Sequence, residues 1–143
     1  MKKLIIFILV SITLISGYCI YNQKYTYDID KACKYVTENA APRSKCCCAW
    51  YVMRAMQSAG CPIGIYPAWF YYKVLPKHKF HEVSTDNYTP IKGDIVVIEN
   101  SEKHFWGHIA MYNGEQWISD FKQKKMNPYK EEYKWRIFRY GNT

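Results

Sequence analysis

Acidic residues are scarce in this chain: 12 Asp and Glu stand against 20 Lys and Arg, a formal charge of +8 over 143 residues. Such an imbalance favours an anionic partner, and outside the cytoplasm cell-wall polymers, lipid head groups and released nucleic acid all carry the required charge. No CxxC pair is present, and three adjacent thiols do not readily wrap one tetrahedral ion, so neither a metal nor another cofactor is expected. No recognisable nucleic-acid motif accompanies the basic charge, which argues against a nucleic-acid partner. Internal repeats and low-complexity tracts are also missing, and the length suits one domain with one core.

The longest apolar run, Leu4 to Ile15, is too short for an ordinary membrane span. Behind Met1-Lys2-Lys3 it reads as residues 1–17 of a signal peptide or amino-terminal anchor, with residues 18–143 as the single domain. The protein is therefore expected to be exported to the periplasm, cell envelope or medium, touching a membrane only through that segment if it stays uncleaved. Its removal with Lys2 and Lys3 lowers the formal charge from +8 to +6.

Cysteine is what the chain has in plenty. Apart from Cys19 near the export segment, Cys33, Cys46, Cys47, Cys48 and Cys61 remain. In an oxidising compartment two disulfides and one thiol are expected, with Cys33 and Cys61 reaching Cys46 and Cys47 in either order.

Asp28 can cap a helix whose apolar positions Ile29, Ala32, Cys33 and Val36 follow helical spacing and which ends near Asn39. A second helix is predicted from about Cys47 to Ala59, stopped by Gly60. The aromatic stretch Pro62 to Pro76 can hold a short helix with Pro67 in its first turn. A short strand is predicted at Phe80 to Val83. After Gly93, Asp94 to Glu99, His108 to Tyr112, Gln116 to Phe121 and Trp135 to Tyr140 read as strands, with a hairpin turn at Asn113-Gly114. Helices followed by strands imply an α+β domain with an antiparallel sheet packed on the amino-terminal helices.

Two of these segments carry chemistry. A thiol at a helix amino terminus is stabilised as thiolate by unpaired amides and the helix dipole, which favours Cys48 as nucleophile, with Cys47 as its rival. His108 opens an apolar strand after Gly107, a residue that permits close approach of another backbone, and can serve as general base and acid. The hairpin returns the chain beside His108, making Asp120 the natural group to orient the imidazole, with Ser119 and Gln123 as polar alternatives. Trp69 and Trp106 can line a substrate groove.

Three stretches resemble the CHAP family of cysteine, histidine-dependent amidohydrolases and peptidases, a papain-like branch. Cys48-Ala49-Trp50-Tyr51-Val52 is similar to its nucleophile helix, Gly93-Asp94-Ile95-Val96-Val97 to its entry strand, and Gly107-His108-Ile109-Ala110-Met111-Tyr112 to its histidine strand. The resemblance spans about residues 44 to 125. It implies a papain-like CHAP fold, Cys48 as nucleophile, His108 as base and Asp120 as orienting group. It further implies cleavage of peptidoglycan amides, by an N-acetylmuramoyl-L-alanine amidase or a stem or cross-link endopeptidase, with the Cys48 amide as one oxyanion donor and Ser44 suggested for the second. A papain-like acyl hydrolase or transferase on a non-wall substrate and a non-catalytic wall-binding module are the competing expectations. Whether an immunity or inhibitor protein pairs with the chain stays open.

Overall fold

The structure, a computed structural model, describes residues 25–141, so the predicted export segment and Cys19 lie outside it. Helix α1 spans Ile29–Asn39 and α2 spans Cys48–Ser58. The Asp28 side chain accepts a hydrogen bond from the Lys31 amide at 3.0 Å, satisfying one of the free donors at the start of α1. Its apolar stripe buries Ala32, Cys33 and Val36, as the spacing predicts. Gly60 ends the next helix with φ +97°, and a Cβ there would collide with the Thr26 carbonyl oxygen, so a side chain is excluded on both counts.

The aromatic middle forms a 3-10 turn at Ala68–Phe70, helix α3 at Tyr71–Val74 and a second 3-10 turn at Leu75–His78. Five strands follow: β1 Phe80–Val83, β2 Ile95–Ile98, β3 His108–Tyr112, β4 Trp117–Ile118 and β5 Trp135–Tyr140. They form one sheet in the order β1-β5-β2-β3-β4, and every pairing is antiparallel. The α+β reading of the sequence holds.

Strand alternation divides the interior. Ile95, Val97, Ile109 and Met111 join Val52, Ala55 and Met56 of α2 in the main core. Val96, Ile98 and Ala110 face the other way, under Tyr88, Met126, Tyr129 and Tyr133. His108 shares the parity of Ala110, so its ring belongs on the side covered by the segment after β4.

At the far end of β2, the buried Asp94 carboxylate receives Arg139 through Nε at 2.8 Å and Nη2 at 2.9 Å, with Tyr88 Oη at 2.7 Å. Bidentate pairing of this kind compensates a buried charge, so the Gly93-Asp94 pair of the family-like segment has an architectural role.

Two expectations need correction. The strand predicted for Gln116 to Phe121 stops at Ile118, because the chain doubles back: the Ser119 amide donates to the Phe121 carbonyl and the Gln123 amide to the Trp117 carbonyl. Among the described residues all five cysteines are free thiols, not two disulfides. Cys47 and Cys61 lie at opposite ends of α2, which at 1.5 Å per residue separates them by roughly 16 Å, far beyond a disulfide's reach. Cys33 packs against Met111 Sδ at 3.8 Å, near the end of β3 remote from His108.

Candidate active site

The loop before α2 delivers the three consecutive cysteines to different places. Cys46, with φ +57°, and Cys47 are exposed. Cys47 Sγ turns back to the Lys45 carbonyl at 3.1 Å. Cys48 alone packs against the main core. Burial pushes its thiol up to about 11, against the pull of the Ile109, Ala49 and Cys48 amides and with a further rise from the Asp120 carboxylate. The lowered thiol pKa anticipated from the helix terminus is therefore not what this site has: removal from water outweighs the amide donors.

His108 is 4% exposed, and burial lowers its pKa below the usual 6.5, partly opposed by the Gln123 hydrogen bond and the Asp120 charge. Gly107 makes its position possible. With φ +65°, a Cβ at Gly107 would fall 2.5 Å from the Ile98 carbonyl oxygen and 2.8 Å from Trp69 Cβ, the close backbone approach expected from the sequence. Cys48 and His108 both line one cavity of ≈ 430 Å³, together with Ser44, Trp106, Asp120 and Tyr129. No hydrogen bond joins the thiol to the ring; in unliganded sites such contacts are often loose.

The group that holds the ring is Gln123. Its Oε1 lies 2.7 Å from His108 Nε2, while its amide nitrogen donates to the Lys125 and Met126 carbonyls, each at 3.1 Å. Two carbonyls cannot donate, so the amide orientation is fixed and Oε1 faces the histidine. His108 Nε2 must then carry the proton, which leaves Nδ1 with a free lone pair.

Asp120 is buried and lines the same cavity but does not hydrogen-bond to the ring. Its Oδ2 accepts from the Lys45 amide, the Cys47 amide at 3.4 Å and Ser44 Oγ at 3.1 Å, and its Oδ1 accepts from Ser119 Oγ at 3.0 Å. Burial opposes its charge, yet the Lys45 and Cys47 amides and the Ser119 hydroxyl outweigh that and hold its pKa below the usual value. The carboxylate thus fastens the loop that leads into α2. Ser44 gives its hydroxyl proton to Asp120, so in this arrangement it has no second proton to offer an oxyanion.

Trp106 is 64% exposed and borders Cys48 on both sides, lining the 430 Å³ cavity and a neighbouring cleft of ≈ 450 Å³ with Trp50, Ile65, Tyr66 and Pro67. Trp69 lines neither. Its amide donates to the Trp106 carbonyl at 3.2 Å and its ring packs on Phe70 and Tyr72, so it buttresses the loop. Tyr129 was not anticipated: it stacks on His104 at 3.6 Å and meets the His108 ring edge-on at 5.8 Å. It lies in an irregular segment with no periodicity to flag it.

The CHAP domain family matches residues 36–120, more than half of the chain, including Cys48, His108 and Asp120 but stopping short of Gln123 and Tyr129. The chain belongs to the CHAP family. Two solved structures resemble this CHAP domain, both of the type VI effector–immunity complex Tae3–Tai3 from Ralstonia pickettii. In the native complex the matching chain is 33% identical, over 80% of this chain and 100% of that one, with a TM-score of 0.71. In the selenomethionine complex it is 32% identical, over 76% and 98%, with a TM-score of 0.69. No curated protein sequence matches.

Proposed function

We propose that the protein is an exported cysteine hydrolase that cuts amide bonds in bacterial peptidoglycan. The observation that carries this reading is the convergence of Cys48 and His108 on one cavity, with Gln123 fixing the imidazole so that Nδ1 is the free base. CHAP membership supports amide hydrolysis. Resemblance to a type VI effector supports action in the cell envelope and a cognate immunity protein as partner.

In the resting site both members of the dyad are uncharged at neutral pH, because burial raises the thiol and lowers the imidazole. His108 Nδ1 takes the Cys48 proton as Sγ attacks the amide carbonyl carbon. The Cys48 backbone amide, at the start of α2, donates to the developing oxyanion. Collapse breaks the C–N bond, and the leaving amine receives the proton from Nδ1. Water, deprotonated in turn by His108, attacks the thioester and releases the carboxylic acid and the Cys48 thiol. Gln123 orients the ring; Asp120 sets the nucleophile loop and lends the imidazolium a nearby negative charge.

Digestion of purified sacculi, with mass spectrometry of soluble fragments, tests the proposal. Paired new amine and carboxyl termini at one type of amide are expected, and their position separates an amidase from an endopeptidase. Sacculi left intact would overturn it.

A further inference from the structure

The basic surplus is not spread evenly. Behind the catalytic cavity lies a second one of ≈ 690 Å³, lined by Arg43, Lys122, Lys124, Lys125 and Lys130 and by no acidic residue. Among the described residues none of these five pairs with a carboxylate; Lys31, Lys45, Arg54, Lys73, Lys77 and Lys79 are likewise unpaired, and what distinguishes the five is that they line one concavity. A concave surface lined by one sign of charge focuses the field and concentrates anions.

Its position gives that charge a use. Ser44 and Tyr129 line both this cavity and the one shared by Cys48 and His108. The lysines also lie on the segment whose Lys125 and Met126 carbonyls hold Gln123, and Gln123 holds His108. An anion seated here would therefore sit beside the reacting centre and against the loop that orients its base.

We propose that the cavity is a subsite for a free carboxylate on the peptide arm of the substrate, so that the enzyme selects stems bearing acids over the same stems capped as carboxamides. The inference rests on the peptidoglycan reading above. Lysine ammonium groups suit it, acting as point charges for a carboxylate that arrives on a flexible arm.

The test uses two synthetic muropeptides that differ only in a stem carboxylate or carboxamide. Binding is measured on full-length Cys48→Ala protein and cleavage on the wild type. About a tenfold preference for the carboxylate form is expected, a size typical of several screened charges acting together. Combining Lys122→Gln, Lys124→Gln, Lys125→Gln and Lys130→Gln should reduce the ratio of the two affinities, and of the two KM values, to about one. Neutralising the exposed Lys31, Lys34, Lys73 and Lys77 instead should leave the ratio intact, separating a local site from net charge. Equal affinities in the parent protein, or a preference that survives the first set of substitutions, overturns the subsite. If the wild type cleaves both forms equally, the subsite falls and the hydrolase stands. If it cleaves neither while Cys48→Ala protein keeps a lysine-dependent preference, the hydrolase falls and the subsite stands.

Discussion

Cys48 stands between two walls of different character. On one side Trp50, Ile65, Tyr66, Pro67 and Trp106 form an apolar cleft, drawn from α2, the aromatic middle and the loop before β3. On the other, His108, Asp120 and Tyr129 bring polar groups into a cavity that Trp106 also borders and that adjoins the lysines of residues 122–130. The apolar wall offers area and shape and holds no histidine or carboxylate. The polar wall holds His108, the proposed base, with Gln123 against its ring, and the Asp120 carboxylate that fastens the loop into α2. The proposed proton transfers thus lie on one side of the thiol only, and substitutions on the two walls should fail in different ways.

The greatest loss is expected from the polar wall. His108→Ala should lower kcat about 10²-fold to 10⁴-fold with little change in KM, the range for removal of a general base. In the wild type, kcat/KM should decline on the acid side only below pH 6.5, since the base must be neutral and burial lowers its pKa. Gln123→Ala should reduce kcat by about 10²-fold, as misplacement of a catalytic group does. An equal loss in KM instead would move Gln123 to substrate binding.

Asp120→Asn separates scaffold from catalyst. Loss of the charged acceptor for the nucleophile loop should cost about 2 kcal/mol in denaturant unfolding at pH 7. The sign of the pH effect follows from its lowered pKa: Asp120 stabilises the fold above its unfolded pKa, and that contribution disappears as pH falls through the folded value. Wild type and variant should therefore converge in stability at low pH. A shift in the pH profile of kcat/KM larger than the stability loss would instead make Asp120 the orienting group. The smallest effect belongs to the apolar wall, where Trp106→Ala should raise KM about threefold to tenfold and leave kcat nearly constant.

The same division explains what the sequence made legible. Both long helices and most of the strands were readable, because burial of one helix face or alternate strand residues imposes a period. Cys48 and His108 were readable as candidates, since each begins such an element. Gln123 could be weighed only as an alternative, because its role depends on β4 ending after two residues and the chain doubling back. The sequence favours extension through Phe121 by composition, and only tertiary hydrogen bonds show the turn. Asp120 looked like the ring's partner for the same reason. The disulfide expectation counted cysteines without distances, and the length of α2 keeps Cys61 from Cys47.

Release of fragments from sacculi by Cys48→Ala and Cys47→Ala proteins, each compared with the wild type, tests the dyad most directly. Cys47 is adjacent and exposed, so it controls for any reactive thiol in the loop. With Cys48 as nucleophile, Cys47→Ala releases the wild-type fragments and Cys48→Ala releases none. Fragments from Cys48→Ala protein, or their loss only in Cys47→Ala, would contradict it.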